Sequence, residues 1–351
     1  MRGIVRLLDV RSASSCEMEE ASNPLPVTLP VAATTLAAVL CSALAIVLAN
    51  VIRNRRRRSS AGNSDSDEDP YRIARCPNPN CARCRRYEEL NRSAKRRLPW
   101  VAPANPNSLA RIRDAVSLGS KSIDEDGRGD GAAPVPGQRP TVLLVRGLEA
   151  RPIVTAMHES ACRIFDRVGT RDRILSEYTA AMGSNAASPL ENDVSSGSWQ
   201  VLHFLNQGRW VEENATLCST TAGIIKNITG MMDGTVFGNA FVSTMNPGTH
   251  IDLHCGPSNV RHRLHFCLQA PKGVAAGRPK LRVANKEVTW SEGVSFVFDD
   301  SIVHSATYSP CEEDRGSVDS ASLLRIVLII DLWHPSLSDE ERRAVADLYP
   351  S

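Results

Sequence analysis

The chain has 351 residues, 42% of them hydrophobic, and a formal net charge of +2. That apolar content is ample for a core, and the length allows one large domain with extensions, so a chain without a folded core is excluded. The near-balance of charge selects no class of partner, but its placement is uneven: Arg53, Arg55, Arg56, Arg57 and Arg58 form one basic block, and the stretch from Arg72 to Arg97 a second.

Residues 1–24 read as a short polar tail. Leu25 to Ile52 contains no charged residue, and it meets the length of roughly 20 apolar residues that a helix needs to cross a bilayer. A cleaved leader carries its basic residues ahead of a shorter apolar run, whereas here the basic block follows. Residues 25–52 are therefore expected to be a single-pass transmembrane helix of signal-anchor type. The block after Ile52 would keep the C-terminal side in the cytoplasm by the positive-inside rule. The sequons Asn91-Arg92-Ser93, Asn214-Ala215-Thr216 and Asn227-Ile228-Thr229 would suit a lumenal domain instead. Both orientations stay open on these residues.

Residues 53–138 read as a basic, cysteine-containing stem with linkers. Ser59 to Pro70 has the composition of a flexible segment, and Asp124 to Pro140, rich in Gly, Asp and Pro, that of a second. Cys76, Cys81 and Cys84 are spaced Cys-x4-Cys-x2-Cys. A zinc site wants four ligands and no fourth lies close by, so disulfides in a lumen are favoured over zinc. The arginines around the cluster lack interleaved aromatic residues. They are read as a solvated or lipid-facing stem, with no nucleic-acid partner expected.

Residues 139–351 have a different texture, with short apolar runs separated by turn residues. Ala161 to Val168 and Arg171 to Ala181 are expected to be helical. Strands are expected at Trp199–Leu205, Phe237–Met245, His262–Leu268, Leu281–Ala284, Val294–Phe298 and Leu323–Leu332. Short strands at this spacing predict a mostly β domain, a sandwich or barrel with flanking helices.

The period of a strand places the chemistry, because residues two apart share a face. Arg261, Arg263 and His265 point one way, Leu264, Phe266 and Leu268 the other. His250, Asp252 and His254 share a face if that stretch is extended. Arg325 is the only basic residue in the apolar run Leu324 to Trp333, and a guanidinium buried there needs an anion to pair with. Arg261 reads as a surface charge, and His203, His262 and His334 as structural or solvated. Neutral imidazoles that leave coordination positions open are what a non-haem Fe(II) oxygenase uses. Two registers fit the spacing: His254 with His304, or His250-Ile251-Asp252 with His304.

Several motifs occur in a fixed order: Arg146-Gly147-Leu148-Glu149-Ala150-Arg151-Pro152, Asn206-Gln207-Gly208, Val236-Phe237-Gly238-Asn239-Ala240, Pro247-Gly248-Thr249, His254-Cys255-Gly256-Pro257-Ser258-Asn259, Phe298-Asp299-Asp300-Ser301 and Asp331-Leu332-Trp333-His334-Pro335. In these the chain resembles the aspartyl/asparaginyl β-hydroxylase family of Fe(II)- and 2-oxoglutarate-dependent oxygenases, from about Arg139 to the C-terminus. The resemblance implies a double-stranded β-helix, a jelly-roll, cupin-like barrel. It implies that His254 and His304 bind iron, with Gly256 where most such enzymes have a carboxylate. It implies that Arg325 holds the distal carboxylate of 2-oxoglutarate, and that Trp199, Ser243, Arg263 and His265 contact the same cosubstrate. Asp299 or Asp300 is expected to support an iron histidine.

The implied activity is that of a dioxygenase: 2-oxoglutarate and O2 are consumed and a protein side chain is hydroxylated, with Asp or Asn at the β-carbon as the candidate. The resemblance also implies a type II membrane protein of the endoplasmic reticulum or Golgi. Two alternatives stay open beside the polypeptide substrate: a lipid substrate, and a catalytically inactive jelly-roll binding module.

Overall fold

The computed structural model describes residues 82–101, 108–118, 136–184, 186–271, 278–309 and 320–351. The expected anchor at 25–52, the Ser59–Pro70 segment and most of the Asp124–Pro140 segment lie outside the described residues, as do the side chains of Cys76, Cys81 and Cys84. Among the described residues no helix is long and apolar enough to cross a membrane.

The order of elements is α1 (Ala82–Val101), α2 (Ala110–Leu118), α3 (Glu159–Cys162), α4 (Thr170–Gly183), β1 (Leu190–Asn192), β2 (Trp199–Asn206), β3 (Arg209–Trp210), α5 (Glu212–Leu217), α6 (Ser219–Lys226), β4 (Ala240–Met245), β5 (His250–His254), β6 (Arg261–Gln269), β7 (Lys280–Val283), β8 (Lys286–Thr289), β9 (Ser295–Phe298), β10 (His304–Thr307), β11 (Arg325–Trp333) and α7 (Asp339–Leu348). The expected helix from Ala161 to Val168 is instead the end of α3 followed by a 3-10 turn at Arg163–Asp166.

One sheet runs β1-β2-β4-β11-β6-β9, with β3 also on β2. The other runs β5-β10-β7-β8. Counting β4 to β11 as strands one to eight, the sheets read 1-8-3-6 and 2-7-4-5, and the pairs are antiparallel. This is the wrapping of a double-stranded β-helix, the expected jelly roll. Strands β1 to β3 widen the larger sheet beyond the eight.

Both faces of the larger sheet are covered. On its outer face Leu202, Phe204, Val242, Leu264, Phe266, Leu328 and Ile330 pack against Phe165, Ile174, Tyr178 and Ile225 of the helical layer, with Phe165 stacked on Phe266 at 4.2 Å. On its inner face Val201, Phe241, Cys267, Val327 and Ile329 meet Leu281, Val283 and Ala306 of the smaller sheet. Strand β11 is buried along its whole length. That burial explains an almost unbroken apolar run where a half-exposed strand would alternate.

Two helices from the segment read as stem pack on the same compact unit. Ala94 of α1 and Ile112, Ala115 and Val116 of α2 join Ala344, Val345 and Leu348 of α7 in one apolar cluster. Ser338 and Glu341 close a capping box at the start of α7. The Glu341 carboxylate also takes two hydrogen bonds from Arg111 of α2, with Arg111 Nη2 to Glu341 Oε2 at 2.7 Å.

Candidate metal and carboxylate site

Strands β5 and β10 set His254 directly opposite His304, and the two rings lie 4.1 Å apart between centroids. The register slips between His304 and Ala306, so two residues of β10 span three of β5, and Ala306 faces Ile251. This bulge reverses the parity of β5. Ile251 and His254 face inward, while His250 and Asp252 are exposed and bond to each other, His250 Nε2 to Asp252 Oδ1 at 3.2 Å. The expectation that His250, Asp252 and His254 share a face fails for that reason. His250 lies opposite Thr307 rather than His304, so the His250-Ile251-Asp252 register does not set its histidine against His304.

Each ring of the pair is turned by its own backbone. His254 Nδ1 is 2.8 Å from the Asp252 carbonyl and His304 Nδ1 is 2.8 Å from the Ile302 carbonyl. Nδ1–H donation to a carbonyl fixes the tautomer and puts the ring's lone pair on Nε2, the nitrogen such a ring would offer to a metal. Burial, then the neighbouring His254, holds His304 well below the ordinary histidine range, and the neutral form is the one that binds metal.

The aspartates expected to support these rings do other work. Asp299 accepts from the Ser301 backbone and hydroxyl, and burial pushes its pKa up to about 7. Asp300 pairs with Arg261 and lies 3.7 Å from Arg263. A Cβ placed on Gly256 would collide with the Asp300 carboxylate that Arg261 holds, so a side chain at the position where a third ligand would stand requires Asp300 to shift. Among the described residues no group of three or more His, Cys, Asp or Glu is placed to hold a metal ion. A pair with an open remainder is what the geometry offers.

Arg261 is not a surface charge. It is buried, and with Arg263 it forms a closed network: Arg261 on Asp300 and Asp331, Arg263 Nε on Asp331 Oδ1 at 2.8 Å. Asp331 stands six residues after Arg325 on β11, hence on the same inner face. That parity was the signal in the sequence that could have found it. Arg263 thus reaches the site with its charge already matched.

Arg325 is different. It is 2% exposed and donates from Nη2 to Ser243 Oγ at 3.2 Å, while its Nε and Nη1 have no partner among the described residues. Burial pulls its pKa down to about 10, which still leaves it charged at neutral pH. Ser243 Oγ also accepts from Trp199 Nε1 at 2.9 Å. With both lone pairs used, its own hydroxyl proton is available to donate. His265 Nδ1 accepts from Trp290 Nε1 at 3.2 Å, and His265 Nε2 is buried without a partner. The inner face at Arg325, Ser243 and His265 therefore presents donors and a positive charge with no acceptor among them. A buried carboxylate satisfies such a set, and water or a neutral group does so poorly.

The motif after His254 serves the fold. Asn259 accepts from Val145 N at 2.8 Å and donates to Val145 O at 2.9 Å, which docks the segment at 142–145 beside the His254 turn. His158, His262 and His334 gather on the far side, with His158 Nε2 2.8 Å from His262 Nδ1 and the His262 and His334 rings 4.4 Å apart. The reading of His262 and His334 as structural therefore fits their buried places.

Residues 170–335 match the pattern of the Aspartyl/Asparaginyl beta-hydroxylase family. The mouse protein named Aspartate beta-hydroxylase domain-containing protein 2 is 31% identical over 77% of this chain and 74% of its own length. This chain belongs to the aspartyl/asparaginyl β-hydroxylase family. The mouse Aspartate beta-hydroxylase domain-containing protein 1 is 28% identical over 72% of this chain and 64% of its own length. The mouse Aspartyl/asparaginyl beta-hydroxylase is 33% identical over 44% of this chain, which spans only 19% of that longer protein. Among solved structures, a Pseudomonas putida prolyl-4-hydroxylase covers 50% of this chain and 98% of its own at 11% identity, with a TM-score of 0.30.

Proposed function

We propose that this chain is an Fe(II)- and 2-oxoglutarate-dependent dioxygenase that hydroxylates a polypeptide side chain. One observation carries the reading: a facing His254–His304 pair stands in the same barrel as a buried arginine whose free donors want a carboxylate. Bound there, Fe(II) with 2-oxoglutarate and O2 supplies oxidation of an unactivated C–H bond, with succinate and carbon dioxide as the other products. His254 and His304 would hold the ion through Nε2. Arg325 and Ser243 would hold the distal carboxylate, with Trp199 orienting the Ser243 hydroxyl. His265 would donate to the cosubstrate from Nε2. Arg263, its charge already matched by Asp331 and Asp300, would stand as a rigid part of the wall beside His304. Gly256, backed by Asp300, leaves coordination space that a side chain would otherwise take.

The names of the related hydroxylases support Asp or Asn as the residue modified. The uncharged run at 25–52 supports a single-pass anchor, and we place the protein in the endoplasmic reticulum or Golgi as a type II membrane protein. Asn227 is the sequon to read for orientation. It is exposed at the end of α6, whereas Asn214 is buried and donates to the His203 carbonyl at 2.8 Å. Glycosidase sensitivity at Asn227 marks a lumenal domain, and an unmodified Asn227 in a secretory cell overturns that placement.

The test of the activity is succinate formation by the full chain with Fe(II), 2-oxoglutarate and O2, with and without Asp- and Asn-containing peptides. Turnover lost in both His304→Ala and Arg325→Ala supports the proposal. A wild-type protein that binds neither metal nor 2-oxoglutarate overturns it in favour of a binding module.

A further inference from the structure

Trp290 follows β8 and is 5% exposed. It touches both elements of the donor set at once. Its indole N–H donates to His265 Nδ1 at 3.2 Å, and the Arg325 guanidinium carbon lies 4.8 Å from the centre of its ring. An indole nitrogen is a donor only, so the Nδ1 it meets must carry a lone pair. A buried neutral imidazole with a lone pair at Nδ1 carries its proton at Nε2. Nε2 is the nitrogen that has no partner among the described residues.

We propose that Trp290 is a positioning residue for the dicarboxylate: its N–H fixes His265 as an Nε2–H donor, and its ring face holds Arg325. The inference rests on the cosubstrate reading above and adds a residue that no motif pointed to. The alternative tautomer would aim a lone pair at the anion, turning attraction into repulsion. The cation–π contact restrains a long side chain whose other nitrogens are left free for the ligand. Because Trp290 arrives from the smaller sheet while Arg325 and His265 stand on the larger, it ties the two walls of the barrel at the cosubstrate.

The variants Trp290→Phe and Trp290→Leu separate the two roles. Phe keeps an aromatic face and loses the N–H; Leu loses both. Calorimetric titration of 2-oxoglutarate into the Mn(II)-loaded full chain is expected to show about tenfold weaker binding for Trp290→Phe, the size of one hydrogen bond to a charged group. Binding should weaken further for Trp290→Leu, while Mn(II) affinity is unchanged in both. In a His265→Ala background the Phe substitution should cost almost nothing, since its effect runs through His265. A merely structural tryptophan would instead lower Mn(II) affinity alongside, or give the same loss in both backgrounds; either result overturns the proposal. Wild-type affinity for 2-oxoglutarate in Trp290→Phe overturns it while leaving the cosubstrate reading in place. A wild-type chain that binds Mn(II) and no 2-oxoglutarate overturns that reading and the role of Trp290 together.

Discussion

Two arginine sites share the inner face of the larger sheet, and they differ in company. Arg261 and Arg263 sit between Asp300 and Asp331, with charges balanced two against two and the hydrogen bonds made within the protein. Arg325, on the strand that carries Asp331, has one serine, one indole face and two unpartnered nitrogens. Burying a charge costs several kcal/mol unless it is paired. The first site meets that cost inside the chain, as a fold does. The second meets it nowhere among the described residues, as a site built for an anionic ligand would. Residue type and burial are alike in the two places, so the location of the counter-charge is what separates structure from function.

The comparison breaks most visibly at Asp331. Asp331→Asn leaves two guanidinium groups sharing the single carboxylate of Asp300, and a loss of about 3–5 kcal/mol is expected from removing one partner of a buried ionic network. Chemical denaturation of the purified chain measures it, and a loss under 1 kcal/mol would mean that the network is not closed. Arg325→Met should behave in the opposite sense. Replacing an unmatched buried cation by an apolar side chain of similar length leaves the unliganded protein at least as stable, and up to about 3 kcal/mol more so. The same change should remove at least about 2 kcal/mol of 2-oxoglutarate binding, seen as loss of the ligand-induced rise in melting temperature. A destabilised apo protein would show instead that Arg325 is satisfied from within.

Gly256→Ala tests how the paired site bears on the proposed metal position. The new Cβ would collide with an Asp300 oxygen that Arg261 already holds. Asp300 cannot swing away without releasing the arginines, so overpacking of about 1–3 kcal/mol is expected. Unfolding midpoints of variant and wild type decide it. An unchanged midpoint would mean that Asp300 moves freely, and Gly256 would then be no barrier to a third ligand.

Much of this contrast was legible in the sequence, for physical reasons that vary by residue. Strand β11 falls within two residues of its expected range because burial on both faces makes its apolar run continuous. The parity of β6 correctly put Arg261, Arg263 and His265 together, yet the character of that face was misjudged for Arg261. Its aspartates lie 39 and 70 residues away, and no local pattern announces them. The order of motifs brought out His254 and His304, whereas strict alternation put His250 and Asp252 beside His254. The β5 bulge, which alternation cannot contain, moved them to the surface. Trp290 gave no local signal: its meaning comes from two residues on the opposite wall. The helices α1 and α2 were hidden in a basic stretch because only a narrow stripe on each, such as Ala94 and Ile112, meets α7.

The smallest expected effect concerns the histidines away from the pair. Burial, with lesser contributions from His334 and Arg342, holds His158 at about 4 against an ordinary 6.5. A depressed histidine is neutral in the fold and protonated in the unfolded chain once pH drops below 6.5. Its stabilising contribution is therefore present above that pH and is lost as pH falls toward 4. Between pH 7 and 5.5 the loss from one such group is about 1 kcal/mol. His203, held at about 4 by burial and then Arg263, adds a second loss of the same sign. His158→Gln should flatten the pH dependence of the urea midpoint by about one group's share, whatever it does to the midpoint at pH 7. An unflattened slope would mean that His158 takes up its proton inside the fold. His158 Nε2–H would then donate to His262 Nδ1 across their 2.8 Å contact, and the far side of the sheet would hold a buried cation, resembling the site at Arg325 more than the closed one at Asp331.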